Sequence, residues 1–206
     1  MTSQVYPWPY CTGGIPDQAF ERIPGIPLSA REVRVLVLSQ LRLQASDCLW
    51  DIGAGTGTIS VEAALLCRQG RVIAVERDAE VVELIERNCL KFGLSNVKVV
   101  QGTAPECLPT LSQDPYPPPD RICIEGGQPL QTVLEESWQR LKPGGRIVAT
   151  TTSLEGLYGL STALASVQAR HVEVSQCAVN RLEMRGRSQM FVALDPIFVL
   201  SGEKGD

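Results

Sequence analysis

Asp51-Ile52-Gly53-Ala54-Gly55-Thr56-Gly57 is the segment of this chain best equipped for chemistry. It joins a short apolar run, residues 47–52, to a segment with helical spacing. Glycines at a strand-to-helix turn permit positive φ and let backbone N–H groups approach a ligand closely. A ligand-free turn has little use for three glycines in five residues, since each adds conformational entropy to the unfolded chain. A dinucleotide fingerprint counted from Gly53 would place its last glycine at position 58, which is Thr58. Asp51, an acid at the strand end, would also repel a pyrophosphate. A carboxylate suits a cationic or amine-bearing ligand instead, and S-adenosyl-L-methionine carries both a sulfonium and an α-amine. Glu76 closes the next apolar run, nineteen residues after Gly57, where an acid can accept hydrogen bonds from two ribose hydroxyls.

Other chemistries have less to work with. His171 is the only histidine, so a Ser-His-Asp or Cys-His site would hang on one residue at the start of a late strand. The seven cysteines, at 11, 48, 67, 89, 107, 123 and 177, are never closer than sixteen residues. That spacing offers no zinc or iron–sulfur ligand set, and no metal is expected. Their odd number and the lack of a signal peptide point to reduced thiols in a cytoplasm. The longest mainly apolar stretch, residues 33–43, is broken by Arg34, Ser39, Gln40 and Arg42 and cannot cross a membrane. Nineteen basic against twenty-three acidic residues, net −4, argue against a protein that coats nucleic acid. Fifteen of the nineteen cations are arginine, the side chain suited to gripping carboxylates.

Positioning the glycine loop requires an alternating scaffold. The 206 residues, 44% hydrophobic and 20% charged, fit one domain with a full core. Ser29-Ala30-Arg31-Glu32 has the form of a capping box opening an amphipathic helix that runs to about residue 43. Apolar runs at 47–52, 72–76, 97–100, 121–124 and 146–151 read as strands, and 58–68, 79–92, 130–141 and 154–169 as helices. Lys142-Pro143-Gly144-Gly145 stops a helix and turns into a strand. Two consecutive strands, 172–179 and 189–200, close the chain, so the last should insert antiparallel. The pattern predicts a single α/β Rossmann-like domain: a seven-stranded, mostly parallel sheet with an antiparallel last strand and helices on both faces. Residues 1–14 read as an irregular arm, 15–206 as the domain, and 114–119 as a stiff loop.

At this point the chain resembles the class I S-adenosylmethionine-dependent methyltransferases. D-x-G-x-G-x-G, the acid ending the second strand and K-P-G-G before the fifth occur in that superfamily's order. Asp114-Pro115-Tyr116-Pro117-Pro118 imitates the motif of base-amine methylating enzymes, but it precedes the fourth strand; Glu125-Gly126-Gly127-Gln128 stands after that strand instead. Outside the shared core, Gly14-Ile15-Pro16-Asp17, Phe20, Gly25-Ile26-Pro27-Leu28-Ser29 and Glu32-Val33-Arg34 are similar to the amino-terminal signature of the decarboxylating precorrin-6Y and cobalt-precorrin C15-methyltransferases of cobalamin biosynthesis. Leu49-Trp50-Asp51-Ile52-Gly53, Asn96-Val97, Gly102-x-Ala104-Pro105-Glu106, Asn180-Arg181 and Asp195-Pro196 extend the likeness over nearly the whole chain. It departs at Thr103, where many members have Asp, and at Glu125 to Gln128, which replace a more glycine-rich run.

The resemblance implies methylation of C15 of a precorrin or cobalt-precorrin, with loss of carbon dioxide from the C12 acetate arm and S-adenosyl-L-methionine as cofactor. It implies cofactor contacts at Ser29, Asp51, Gly53, Ala54, Gly55, Thr56, Gly57, Glu76 and Ala104. The tetrapyrrole carries many carboxylates, which bidentate arginines would hold. Arg181 and Arg185 (with Arg187 beside them) and, near the arm, Asp17, Arg31 and Arg34 are the candidate substrate residues. No catalytic residue is assigned, because carbon methylation of an electron-rich ring needs no strong base of its own. The implied setting is a cytoplasmic homo-oligomer, a tetramer, with other cobalamin-pathway enzymes as candidate partners. Two competing readings are a class I methyltransferase acting on tRNA or another small molecule, and a non-catalytic subunit that keeps only the fold. The intact glycines and Glu76 weigh against the latter.

Overall fold

A computed structural model describes residues 5–113 and 115–206. The start of the expected arm (1–4) and of the stiff loop (114) lie outside the described residues. After an irregular segment with one 3-10 turn, Asp17–Ala19, the chain alternates: α1 (Arg31–Leu41), β1 (Cys48–Ile52), α2 (Thr58–Leu66), β2 (Arg71–Glu76), α3 (Ala79–Lys91), β3 (Val97–Gln101), the short α4 (Leu108–Leu111), β4 (Arg121–Ile124), α5 (Leu130–Arg140), β5 (Arg146–Thr151) and α6 (Leu154–Ser166). Four strands close it: β6 (Arg170–Cys177), β7 (Asn180–Arg185), β8 (Ser188–Ala193) and β9 (Ile197–Glu203).

The main sheet has seven strands in the order β3-β2-β1-β4-β5-β9-β6. The pairs from β3 through β5 are parallel, and β9 runs antiparallel to both β5 and β6. From β1 the chain winds outward to β2 and β3, then returns to place β4 on the other side of β1. The tips of β1 and β4 are therefore the topological switch point, where open α/β sheets bind ligands.

Both faces of the sheet are covered, which is why its central strands read as apolar runs rather than alternating ones. Trp50, Ile52, Ile73, Ile122 and Ile147 pack on one side with Leu134 and Trp138 of α5 and Leu160 and Leu164 of α6. Leu49, Val72, Cys123 and Val148, their neighbours in sequence, face Val33, Val37 and Leu41 of α1 and Ile59 and Ala63 of α2. Each such side chain contributes about 1.5–3 kcal/mol through burial.

Two expectations need correction. Ser29 does not cap α1; Ala30 occupies the N-cap position and no side chain bonds there. The Ser29 hydroxyl donates instead to Glu125 at 2.7 Å, a charge-assisted bond that outcompetes a cap. The run 189–200 is also not one strand. Asn180 to Arg185, expected as a connection, pairs with β8 in a separate hairpin closed by Gly186 (φ +64) and Arg187, and only β9 joins the sheet.

Candidate functional site

A cleft of ≈ 970 Å³ runs along the carboxyl tips of the strands. Its wall keeps to the sheet order: the turn Gly102-Thr103-Ala104 after β3, Glu76 at the tip of β2, Gly53 to Thr56 after β1, Glu125 to Gln128 after β4 and Thr150 to Thr152 at β5. The segment Ile26 to Ala30 covers one side, and Val179, Leu194 and Ile197, at the roots of the hairpin, close the far end. A smaller hollow of ≈ 270 Å³, by Arg71, Asn96 and Tyr116, lies at the amino ends of β2 and β3, away from the glycine loop.

The loop is held from three directions. Gly53 and Ala54 N–H groups donate to Val75 O at 2.9 and 3.0 Å, and Thr56 Oγ1 donates to Pro27 O at 2.9 Å. Gly53 has φ +75, and a Cβ there would stand 2.5 Å from the Gly126 Cα, so the tips of β1 and β4 meet only through glycine. Glu76 Oε2 accepts from the Gly55 N–H at 3.0 Å, while Oε1 accepts from Arg77 N and Asp78 N at 2.8 and 3.3 Å. These bonds orient the carboxylate beside the loop without closing it off from the cleft that it lines.

Electrostatically the cleft is acidic. Its lining residues include Glu76, Asp78, Glu125 and Asp195 but one basic residue, Arg77, among those described. Asp51 is fully buried beneath the loop; Ser60 Oγ donates to its Oδ2 at 2.5 Å, and Oδ1 has no partner. Burial, reinforced by the charge of Glu125, pushes the Asp51 carboxyl up to about 7. Burial likewise raises Glu125, against the opposing pull of Ser29 and Arg34. Such a surplus of poorly compensated negative charge favours a cationic occupant. The glycine cradle, the orphaned Asp51 oxygen and the acid at β2 therefore fit S-adenosylmethionine, an amine and a sulfonium on a nucleoside.

Of the expected cofactor residues, Ser29, Gly53, Ala54, Gly55, Thr56, Glu76 and Ala104 line the cleft. Asp51 lies behind it, and Gly57 (φ +78) is the N-cap of α2.

A family model described as a precorrin methyltransferase domain matches residues 20–204. The chain belongs to this family. A relative from Pyrobaculum calidifontis, named as a probable cobalt-precorrin-6B C(15)-methyltransferase (decarboxylating), is 41% identical over 94% of this chain and 97% of its own. The crystal structure of a precorrin-6y C5,15-methyltransferase from Geobacter metallireducens superposes with a TM-score of 0.84 at 33% identity, covering 95% of this chain and 98% of that one. A Methanobacterium thermoautotrophicum structure described as a precorrin 8W decarboxylase gives 0.82 at 31% identity, with 91% and 98% covered.

In this member of the precorrin methyltransferase family the arginines are arranged differently from the expectation. Arg34 is fully buried, not a substrate clamp: it donates to Asp17 at 2.6 Å, to Glu62 at 2.7 Å and to the carbonyls of Ile15 and Ser29. A buried guanidinium needs such partners, and removing one would leave an uncompensated charge. Arg181 meets Asp17 in an ion pair of 2.6 Å, with Glu32 at 2.5 Å on the other side. Protein carboxylates thus engage its Nη1 and Nη2, while its buried Nε has no partner among the described residues. Arg31 pairs with Glu32 on the surface. Arg185 is exposed, without an ion pair among the described residues. Neither Arg181 nor Arg185 lines the cleft.

Glu125 and Gln128, marked in the sequence as a departure after the fourth strand, line the cleft, as do Thr150 to Thr152, which the sequence reading does not single out. Position was the available signal: each comes at or just after the end of a central parallel strand, where side chains face the ligand side of the fold.

Proposed function

We propose that this protein is an S-adenosylmethionine-dependent C-methyltransferase that methylates C15 of a precorrin or cobalt-precorrin and releases carbon dioxide from the C12 acetate arm. One observation carries the reading. A single continuous cleft extends from the turn after β3 and the Glu76 acid to the hairpin roots, in a chain matched by the family over most of its length. Its ≈ 970 Å³ sits at the upper end of single-ligand pockets, enough for a nucleoside cofactor at one end and the edge of a wide ring at the other.

The bound cofactor supplies an electrophilic methyl group. Glu76 would accept hydrogen bonds from the ribose hydroxyls, and the Gly102 turn, fixed by Gly102 N donating to Glu76 O at 2.9 Å, would hold the adenine. Thr150 to Thr152 and Gln128 offer hydroxyl and amide donors to the acetate and propionate arms. In the substrate the C12 acetate C–C bond would break with loss of carbon dioxide, its electron pair passing through the conjugated ring to C15. C15 would bond the methyl carbon as the methyl–sulfur bond breaks and leaves its pair on sulfur, with the C15 hydrogen lost as a proton and one proton taken up at the C12 methylene. The protein's part is positioning and electrostatics. Arg185 and Arg187, neither in an ion pair among the described residues, are the remaining cations at the hairpin for an outward-facing carboxylate.

The enzyme acts in the cytoplasm as a homo-oligomer, a tetramer. Support for assembly comes from the hairpin, where Leu182, Met184 and Phe191 share one face and are exposed. Incubation with S-adenosylmethionine and a C15-unmethylated precorrin should yield a product that has gained one methyl and lost one carbon dioxide by mass. Methylation without decarboxylation would refute the assignment, and failure to bind S-adenosylmethionine in a calorimeter would favour a non-catalytic subunit.

A further inference from the structure

The tips of three adjacent strands carry acids: Glu76 at β2, Asp51 in β1 and Glu125 directly after β4. Sheet order sets the direction in which the cofactor runs across them. With the base beside β3 and the ribose on β2, the amino-acid end falls over the tips of β1 and β4. Glu125 lines the cleft there, with Oε1 accepting from Ser29. Asp51, in the neighbouring strand, is fully buried and leaves Oδ1 without a partner.

The surroundings of this pair hold little positive charge. From α2 Ser60 donates a hydroxyl to Asp51; from β2 Glu76 adds a further negative charge; on β4 the Cys123 thiol is held protonated by burial and by both acids. Arg34 of α1 is the cation that acts on Glu125, and it is already bonded to Asp17 and Glu62.

Resting on the methyltransferase reading above, we infer that the Asp51–Glu125 pair exchanges a proton for the α-ammonium of the cofactor. In the free protein the pair retains one proton, because two neighbouring carboxyls in a buried site ionise together only at a penalty. When the ammonium arrives, the ionised form of both becomes favourable, and the proton passes to solvent. One positive charge enters and one leaves. The raised Asp51 and Glu125 carboxyls point the same way: burial favours the neutral form of each, and a cation that arrives beside them favours ionisation.

The test is titration calorimetry of the full-length protein at about pH 6.5 in three buffers of different ionisation enthalpy. At that pH the ligand amine, which titrates near 7.7–8.0, is charged, so released protons come from the protein. S-adenosylmethionine and S-adenosylhomocysteine should each release roughly half to one proton on binding. 5′-Methylthioadenosine, which lacks the amino acid, should bind with none, and Glu125→Gln should cut the release to less than half. Binding of S-adenosylmethionine with no proton release overturns the inference alone, as does equal release by 5′-methylthioadenosine or an unchanged release in Glu125→Gln. Absence of binding by both S-adenosyl ligands overturns the methyltransferase reading and this inference with it.

Discussion

Arg181→Ala should reveal a structural role rather than a substrate contact. The guanidinium spans Asp17 at 2.6 Å and Glu32 at 2.5 Å, tying the hairpin to the 3-10 turn and to α1. A hydrogen bond to a charged group contributes about 1.5–3 kcal/mol when buried, and an exposed ion pair about 0–1. Arg181 is 30% exposed, Glu32 33%, and Asp17 keeps Arg34 after the substitution. The loss should therefore be about 1–2 kcal/mol, discounted for solvent screening. Arg181 holds the Glu32 carboxyl down at about 2, and Arg34 and Arg181 together hold Asp17 below its usual value against the opposing effect of burial. A carboxyl depressed in the folded state lends stability above its unfolded value, about 4, and loses it as pH falls through the folded one. The difference between wild type and variant should be full above roughly pH 5 and close between about 4.5 and 2.

Urea unfolding at one fixed protein concentration, at pH 7 and again near pH 3, measures both arms. The companion variant Arg185→Ala should leave stability unchanged, raise KM for the macrocycle most at low ionic strength, and leave S-adenosylmethionine affinity alone. A stability gap that is absent at pH 7, or equally large at both pH values, would refute the ion-pair reasoning. So would a raised KM in Arg181→Ala without any loss of stability.

Glu76→Ala should weaken S-adenosylmethionine binding by about 1–3 kcal/mol, roughly 5- to 150-fold in Kd by calorimetry; an unchanged Kd removes Glu76 from the site. Burial raises the thiols of Cys48 to about 11 and of Cys67 and Cys89 to about 12, and Cys123 well above the usual range. At pH 8 a disulfide reagent should label Cys11, Cys107 and Cys177 at most, the other four only after unfolding; a fourth fast thiol would contradict this core. Leu182→Lys with Phe191→Lys, which charges the exposed hairpin face, should lower the molar mass seen by light scattering, and an unchanged mass would place the oligomer interface elsewhere.

Local pattern carried the central sheet, the glycine loop and Glu76 because their signals are contained in a few residues: apolar runs, positive-φ glycines and an acid at a strand end. The hairpin β7–β8 was hidden for an equally local reason. It alternates Leu182 and Met184 with Arg181, Glu183 and Arg185 and covers no core, so its sequence resembles a charged connection. The charged residues failed differently. Nothing near Arg34 in sequence announces that Asp17, seventeen residues before it, and Glu62, twenty-eight after, will enclose it away from solvent. Ser29 had a local role available, the helix cap, and lost it to Glu125 ninety-six residues away. Whether an arginine grips a substrate or a neighbour depends on which carboxylate reaches it first in three dimensions. In this fold the segment before α1 supplies Asp17, which pairs with both Arg34 and Arg181. The acids at the strand tips have no ion pair among the described residues, so the electrostatic preference of the cleft is set by Asp51, Glu76 and Glu125 rather than by the abundant arginines.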